Sequence, residues 1–264
     1  MSAPEPDDPL DPDAAGGPRP AGPRDAYARL VLEVMPEECK AGLTLGFVRT
    51  FAVPEIAAVL HGTGRVTGQP KARGKATGAA MFTLIGCGPD SAEGREVVAA
   101  LRRIHDRPDI TPELMHYVLA CFTVCPLRFA DAYGPRPTTP AERDAAYAFH
   151  RELAAALGLP EPPGGGLAGT EEWMRGFERR RFEPTPAGRE LWASARGLLA
   201  SRLPRRLAPL VPVFAAALLD APLREALGVR RPPLPVRALV AGALKARSRR
   251  RTGRPEEGAA PRSE

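Results

Sequence analysis

A chain of 264 residues, 44% of them hydrophobic, can bury a core as one large domain or two small ones. Thirty-seven basic residues against 31 acidic ones leave a formal charge of +6, and much of the excess gathers between Lys245 and Arg254. No aromatic side chains interleave with that run, so it reads as a solvated terminus rather than a nucleic-acid arm, and no nucleic-acid partner is expected.

Residues 1–24 hold almost no apolar side chain larger than proline. They cannot bury enough surface to offset the entropy of ordering and are expected to be a disordered tail, as is the basic segment 247–264. The N-terminus is acidic and proline-rich, without the basic-then-apolar order of a secretory leader. Between the tails the hydrophobic period is helical nearly throughout. Helices are expected over 25–35, 37–51, 54–61, 72–86, 91–106, 112–132, 140–157, 170–180, 186–202, 206–219 and 235–246. Runs of alternating β-branched residues are missing, so the fold class is all-α, with one helical domain over 25–246.

Local chemistry fixes several boundaries. Thr111-Pro112, Thr139-Pro140 and Thr185-Pro186 each put a hydroxyl at the N-cap and proline at the first helical position. Thr139 with Glu142 fits a capping box, and Gly158 follows its helix as a C′ glycine should. The loop from Pro160 to Gly166 reads as the most flexible internal stretch. Pro126 should kink the apolar 112–132 helix. The stretch Leu207–Leu219, interrupted by Pro209 and Pro212, is too short to span a bilayer, and a soluble protein is expected. Pro235–Arg251 has the composition of a basic helix that can lie on a membrane surface, although plain exposure or partner binding is the simpler reading. Four cysteines do not make a disulfide framework in a chain this long, which points to reduced thiols and a cytoplasmic protein.

Three residues stand out chemically. Val97, Val98, Leu101, Ile104 and His105 form one amphipathic stripe, so His105 is expected to point inward. Arg73 and Thr77 lie one turn apart on the preceding helix and project together. A buried imidazole needs partners for its ring nitrogens, and a partly buried arginine needs an anion. On spacing alone, a hydrogen-bonded core histidine and a surface arginine remain the simpler reading. Cys121 and Cys125, at i and i+4, have no second ligand pair and read as core packing; Cys125 before Pro126 could offer a thiolate to a metal, but its apolar surroundings should raise that thiol's pKa and weigh against it. Nothing matches a phosphate-binding loop, a nucleophile elbow, a zinc-protease motif or a Cys-x-x-Cys-His haem attachment.

The order of these pieces resembles the MpaB / rubber oxygenase catalytic domain family, which includes the latex clearing proteins. FVRTFAVPEIAAVLHGTG at 47–64 is similar to the segment before that family's site, and KARGKAT at 71–77 to its Arg-x-x-x-Thr helix. EGREVVAALRRIHDRPDITPELMHYVLACFTVCPLRFADAYGPRPTTPAERDAAYAFHRELAAALGLP at 93–160 is similar to its histidine, long helix and Gly-x-Arg-Pro loop. EEWMRGFERRRFEPTPAGREL at 171–191 and LREALGV at 223–229 resemble its later helices. The resemblance implies a distantly globin-like helical core holding non-covalent haem b. His105 would be the axial ligand to iron, with Arg73 and Thr77 as the polar pair beside the cofactor and substrate. The partners would be dioxygen and a small apolar, isoprenoid-like substrate, reaching the iron through an apolar channel lined by the 112–132 helix. Two departures bear on catalysis. Ala76 stands where latex clearing proteins place a lysine and other members an aspartate, with Lys75 one residue away, and Glu55 is the only acidic residue near the position of a base. A haem- or small-molecule-binding protein without turnover, or a helical interaction protein with His105 in its core, are the competing readings.

Overall fold

The computed structural model describes residues 23–199 and 210–252. Those residues are helical with no strand among them, as the periodicity predicts. Helix α1 (Pro23–Arg29) runs into a π turn (Leu30–Val34), and α2 (Pro36–Arg49) ends in a 3₁₀ turn (Thr50–Ala52). Then follow α3 (Pro54–Gly62), α4 (Arg65–Gly68), α5 (Pro70–Cys87), α6 (Ala92–His105), α7 (Pro112–Tyr133) and α8 (Pro140–Ala156). The chain continues with α9 (Leu167–Arg181), α10 (Pro186–Leu199), α11 (Val211–Ala217), α12 (Ala221–Ala226) and α13 (Leu234–Thr252).

The centre is a close contact between α2 and α7. It is close because two glycines on α2, one turn apart, present no side chain. A Cβ at Gly42 would lie 2.4 Å from the Pro126 Cα, and one at Gly46 2.6 Å from the Cys121 carbonyl oxygen. Helix α7 is buried along most of its length and continues through Pro126. Around this pair, α1 packs on α8 through Tyr27 and Phe149, whose ring centroids are 5.5 Å apart. Helix α10 closes over α3, and α9 lies against α7 with Phe177 stacked 4.4 Å from Tyr117.

The three Thr-Pro caps form as anticipated. Thr111 accepts from Leu114 N–H at 3.3 Å, and Thr185 accepts from Gly188 N–H at 2.9 Å. Thr139 and Glu142 complete a reciprocal capping box. Gly158 takes φ +76° at its helix end. In the Pro160–Gly166 loop, Gly164 sits against the backbone of Gly169, and Thr170 Oγ1 donates to the Pro163 carbonyl at 3.3 Å, so the loop lies down on the start of α9.

Three boundaries differ from expectation. Of the helix predicted over 206–219 the described part is α11, which ends at Ala217, and an unpredicted helix α12 follows because Asp220 accepts from Leu223 N–H and starts it. The short α4 follows Gly64 at φ +65°, a turn too brief to show as a period. Helix α13 runs to Thr252, six residues beyond its predicted end and into the basic segment read as a tail. Arginine is a good helix former, and basic side chains in a last turn offset the helix dipole. The segment is also tied down by buried Ser248 and by an Arg247–Glu37 contact of 3.3 Å. The remaining parts of the predicted tails, 1–22 and 253–264, and the predicted helical residues 200–202 and 206–209, lie outside the described residues.

Candidate functional site

Helices α5 and α6 form a pair at the edge of the bundle, and α6 leans chiefly on α5. The expected stripe on α6 is therefore only partly covered. Val98 is buried and Val97, Leu101 and His105 are half-buried, but Ile104 is 52% exposed. A stripe predicted from period alone assumes a neighbour along its whole width, and α6 has one on a single side.

His105 is fixed by its own helix. Its Nδ1 lies 2.7 Å from the Leu101 carbonyl oxygen, which only accepts, so Nδ1 carries the proton and Nε2 keeps its lone pair. Burial lowers the His105 pKa, the hydrogen bond to Leu101 raises it, and the nearby Arg73 charge lowers it again; the net direction is down, toward the neutral ring. Arg73 and Thr77 do project together: the Arg73 guanidinium donates to Thr77 Oγ1, whose own hydroxyl donates to the Arg73 carbonyl at 3.0 Å. The same guanidinium lies 5.7 Å above the Phe47 ring of α2. Burial and the Arg65 charge both lower its pKa, and no carboxylate pairs with it among the described residues.

Phe47 and Thr77 also border a cavity of about 380 Å³ between α2 and α5. Its apolar lining is Leu43, Phe47, Met81, Phe82, Phe122 and Leu198. The 112–132 helix was expected to line such a channel; α7 in fact contributes Phe122, while α2 and α5 supply most of the wall, because the glycine seam presses α7 onto α2 too closely to leave space between them. Lys75 lines the cavity and Ala76 does not, so the lysine that looks displaced in sequence is the one facing the space. Glu55 stands apart on α3, paired with Arg181 at 2.8 Å.

The cysteines are not part of this site. Cys121 and Cys125 are buried beneath Gly46. Burial raises the Cys121 pKa, but Cys125 is lowered, first by the hydrogen bond to Cys121 and further by Arg49 nearby, so the rise expected at Cys125 is not found. Among the described residues no group of three or more metal-ligating side chains occurs.

Sequence reasoning missed two buried polar groups. Arg49, 5% exposed, makes a two-pronged contact with Glu178 at 2.5 and 2.7 Å and reaches Asp220 at 2.8 Å. Burial alone would lower the Arg49 pKa; the Glu178 hydrogen bond and charge outweigh it and raise it. The second group is His116 and His150 on α7 and α8. The first group joins helices far apart in sequence and the second depends on how two consecutive helices pack, so no local spacing announces either.

The chain matches the family model described as ER-bound oxygenase mpaB/B'/Rubber oxygenase, catalytic domain, over residues 40–249. It is 28% identical over 197 residues to ER-bound oxygenase mpaB' of Penicillium brevicompactum, covering 68% of this chain and 46% of that protein. It is 28% identical over 206 residues to ER-bound oxygenase mpaB of Penicillium roqueforti (strain FM164), covering 71% and 68% respectively. A third relative, ER-bound oxygenase mpaB of Penicillium brevicompactum, is 28% identical over 171 residues, covering 58% of this chain and 43% of that protein. The chain thus spans about half the length of two of these relatives and about two-thirds of the other. Their shared designation overturns the expectation of a cytoplasmic protein. Cysteine content reports only the redox surroundings, which are reducing on the cytosolic face of a membrane as well as away from it. No single helix among the described residues is long and apolar enough to cross a membrane; the pair Pro36–Ala52 and Pro54–Gly62, bent by 103°, passes by length and composition together.

Proposed function

The chain belongs to the family of the ER-bound oxygenase mpaB/B' and rubber oxygenase catalytic domain, and on that premise we propose that it is a haem b-dependent oxygenase acting on an apolar, isoprenoid-like substrate. The observation that carries the proposal is the state of His105. A neutral imidazole that donates Nδ1–H to a backbone carbonyl and keeps Nε2 bare is the form in which histidine ligates iron. Arg73, half-buried with no carboxylate partner, suits a haem propionate, and Thr77 orients the guanidinium. When bound, the haem iron would supply dioxygen activation for oxidative cleavage of a carbon–carbon double bond. The protein would hold the substrate between Phe47, Met81 and Phe122 and keep bulk water from it.

The test is a visible spectrum of protein expressed with ample haem. A Soret band is expected, and His105→Ala should abolish it while leaving the helical circular dichroism unchanged. A colourless wild-type protein would end the haem reading.

A second reading, a haem- or small-molecule-binding protein without turnover, is favoured by Ala76 and by the engagement of Glu55 with Arg181. Dioxygen consumption with polyprenyl or terpenoid substrates separates the two. We further propose that the protein works against a membrane surface. Its relatives' designation and the exposed basic helix α13 support this.

A further inference from the structure

The cavity has two lysines on its wall that the oxygenase reading leaves without a task. Lys40 opens the face of α2 that continues through Leu43, Thr44 and Phe47; Lys75 opens the face of α5 that continues through Gly78, Ala79 and Phe82. Arg73 over Phe47 at one end, and Gly86 against Leu32 at the other, show that α5 runs antiparallel to α2. In that register Lys75 comes level with Thr44 and Lys40 level with Ala79, about one helical turn, or roughly 6 Å, apart along the axis. Flexible four-carbon stems let both ammonium groups converge on one point.

The two ends of the cavity differ. Lys40 and Lys75 are exposed, whereas Leu43, Phe47, Met81 and Phe122 are buried. No acidic side chain is found among the described residues that line it, so neither lysine is neutralised from within the cavity. A purely apolar ligand would use the floor and leave two cations idle; a small polar anion would use the mouth and leave the floor wet. One ligand satisfies both. We propose that the cavity takes an apolar chain ending in an anionic head, a carboxylate or a phosphate, with Lys40 and Lys75 holding the head and the apolar floor taking the chain. The inference deepens the oxygenase reading, and it rests on that reading only in treating the ligand as a substrate.

The test is calorimetric titration of the full-length protein with decanoate and decyl phosphate below their micellar concentrations and decanol below its solubility limit. Two charge-assisted contacts should make at least one of the anions bind about tenfold or more tighter than decanol, and less so at high salt. The relative affinities of decanoate and decyl phosphate then identify the head. Lys40→Gln with Lys75→Gln, both at exposed positions, should erase the preference and leave decanol binding unchanged. A Cβ at Gly78 meets only the Phe82 ring edge at 3.8 Å, so Gly78→Leu can place its side chain in the cavity and should block all three ligands without altering the circular dichroism. Equal affinity for decanol and the anions, a preference that survives the double lysine substitution, or binding unaffected by Gly78→Leu each overturns the proposal. So does loss of the Soret band in the lysine variant, which would make the lysines propionate partners instead. A colourless wild-type protein removes the haem while the ligand preference remains measurable, so the two readings fail separately.

Discussion

His116 and His150 bring two imidazoles together inside the molecule. Both ring nitrogens of His116 are sealed from solvent without a hydrogen-bond partner, and His150, 2% exposed, meets Thr123 Oγ1 through Nδ1 at 3.1 Å. Burial first, and then the His116 charge, push the His150 pKa down to about 4. Burial lowers that of His116 as well. The unfolded chain therefore takes up a proton between pH 6.5 and 4 that the folded chain refuses. Stability is complete above about pH 6.5 and falls as the pH drops through that window, by roughly 3 kcal/mol for His150. Urea midpoints measured from about pH 7 to about pH 4.5 should decline, and His150→Gln, which cannot titrate, should flatten the decline. Parallel profiles for the two proteins would show that His150 is not responsible. At this scale the sequence discloses only what a single helix sets. The Arg73–Thr77 pair and the Leu101 carbonyl that orients His105 are i, i+4 neighbours, and the spacing of the first was readable. His150 owes its shift to α7 lying across it, and Arg49 meets an acid 129 positions away; no periodicity within either helix contains that information.

Helices declare their ends more openly than their partners. A threonine before proline satisfies the first free N–H groups and sets the entry φ from residues adjacent in the chain, which is why Thr111, Thr139 and Thr185 could be assigned in advance. The α2–α7 seam is a different kind of fact. Gly42 and Gly46 read locally as weak points in a helix, and only the approach of α7 turns them into the place where two backbones touch. Gly46→Ala would force a methyl group into the Cys121 carbonyl, so stability should fall by about 2 kcal/mol or more, a drop of roughly 4–8 °C in Tm. Gly242 lies mid-helix in α13, where an added methyl group would meet nothing within 4 Å, and Gly242→Ala should raise stability by about 0.5–1 kcal/mol. Differential scanning calorimetry distinguishes the two. A neutral Gly46→Ala would mean that the helices can separate at little cost.

Across the whole molecule, charge is distributed less evenly than the total suggests. Eight basic residues and no acidic one stand between Arg230 and Arg251, so a net charge of +6 conceals one strongly cationic edge. Helix α13 buries Val240 and Ser248 against the bundle and leaves Leu239, 73% exposed, facing outward, with Lys245 and Arg250 also exposed further along the helix. Such a face suits an anionic bilayer, where a basic residue near the surface contributes about 1 kcal/mol and an inserted leucine adds apolar burial. Removing the helix would uncover the surfaces of α11 and α7 on which it packs and confuse unfolding with lost binding, so substitutions on its outer face are the cleaner probe. Full-length protein should sediment with vesicles rich in anionic lipid and stay in solution with neutral ones. Lys245→Glu with Arg250→Glu should weaken that binding at least about tenfold, and Leu239→Asp should weaken it by a smaller factor, with the visible spectrum unchanged in both. Equal sedimentation with neutral and anionic vesicles would exclude α13 as the contact, and any membrane association would then have to arise from another surface of the protein.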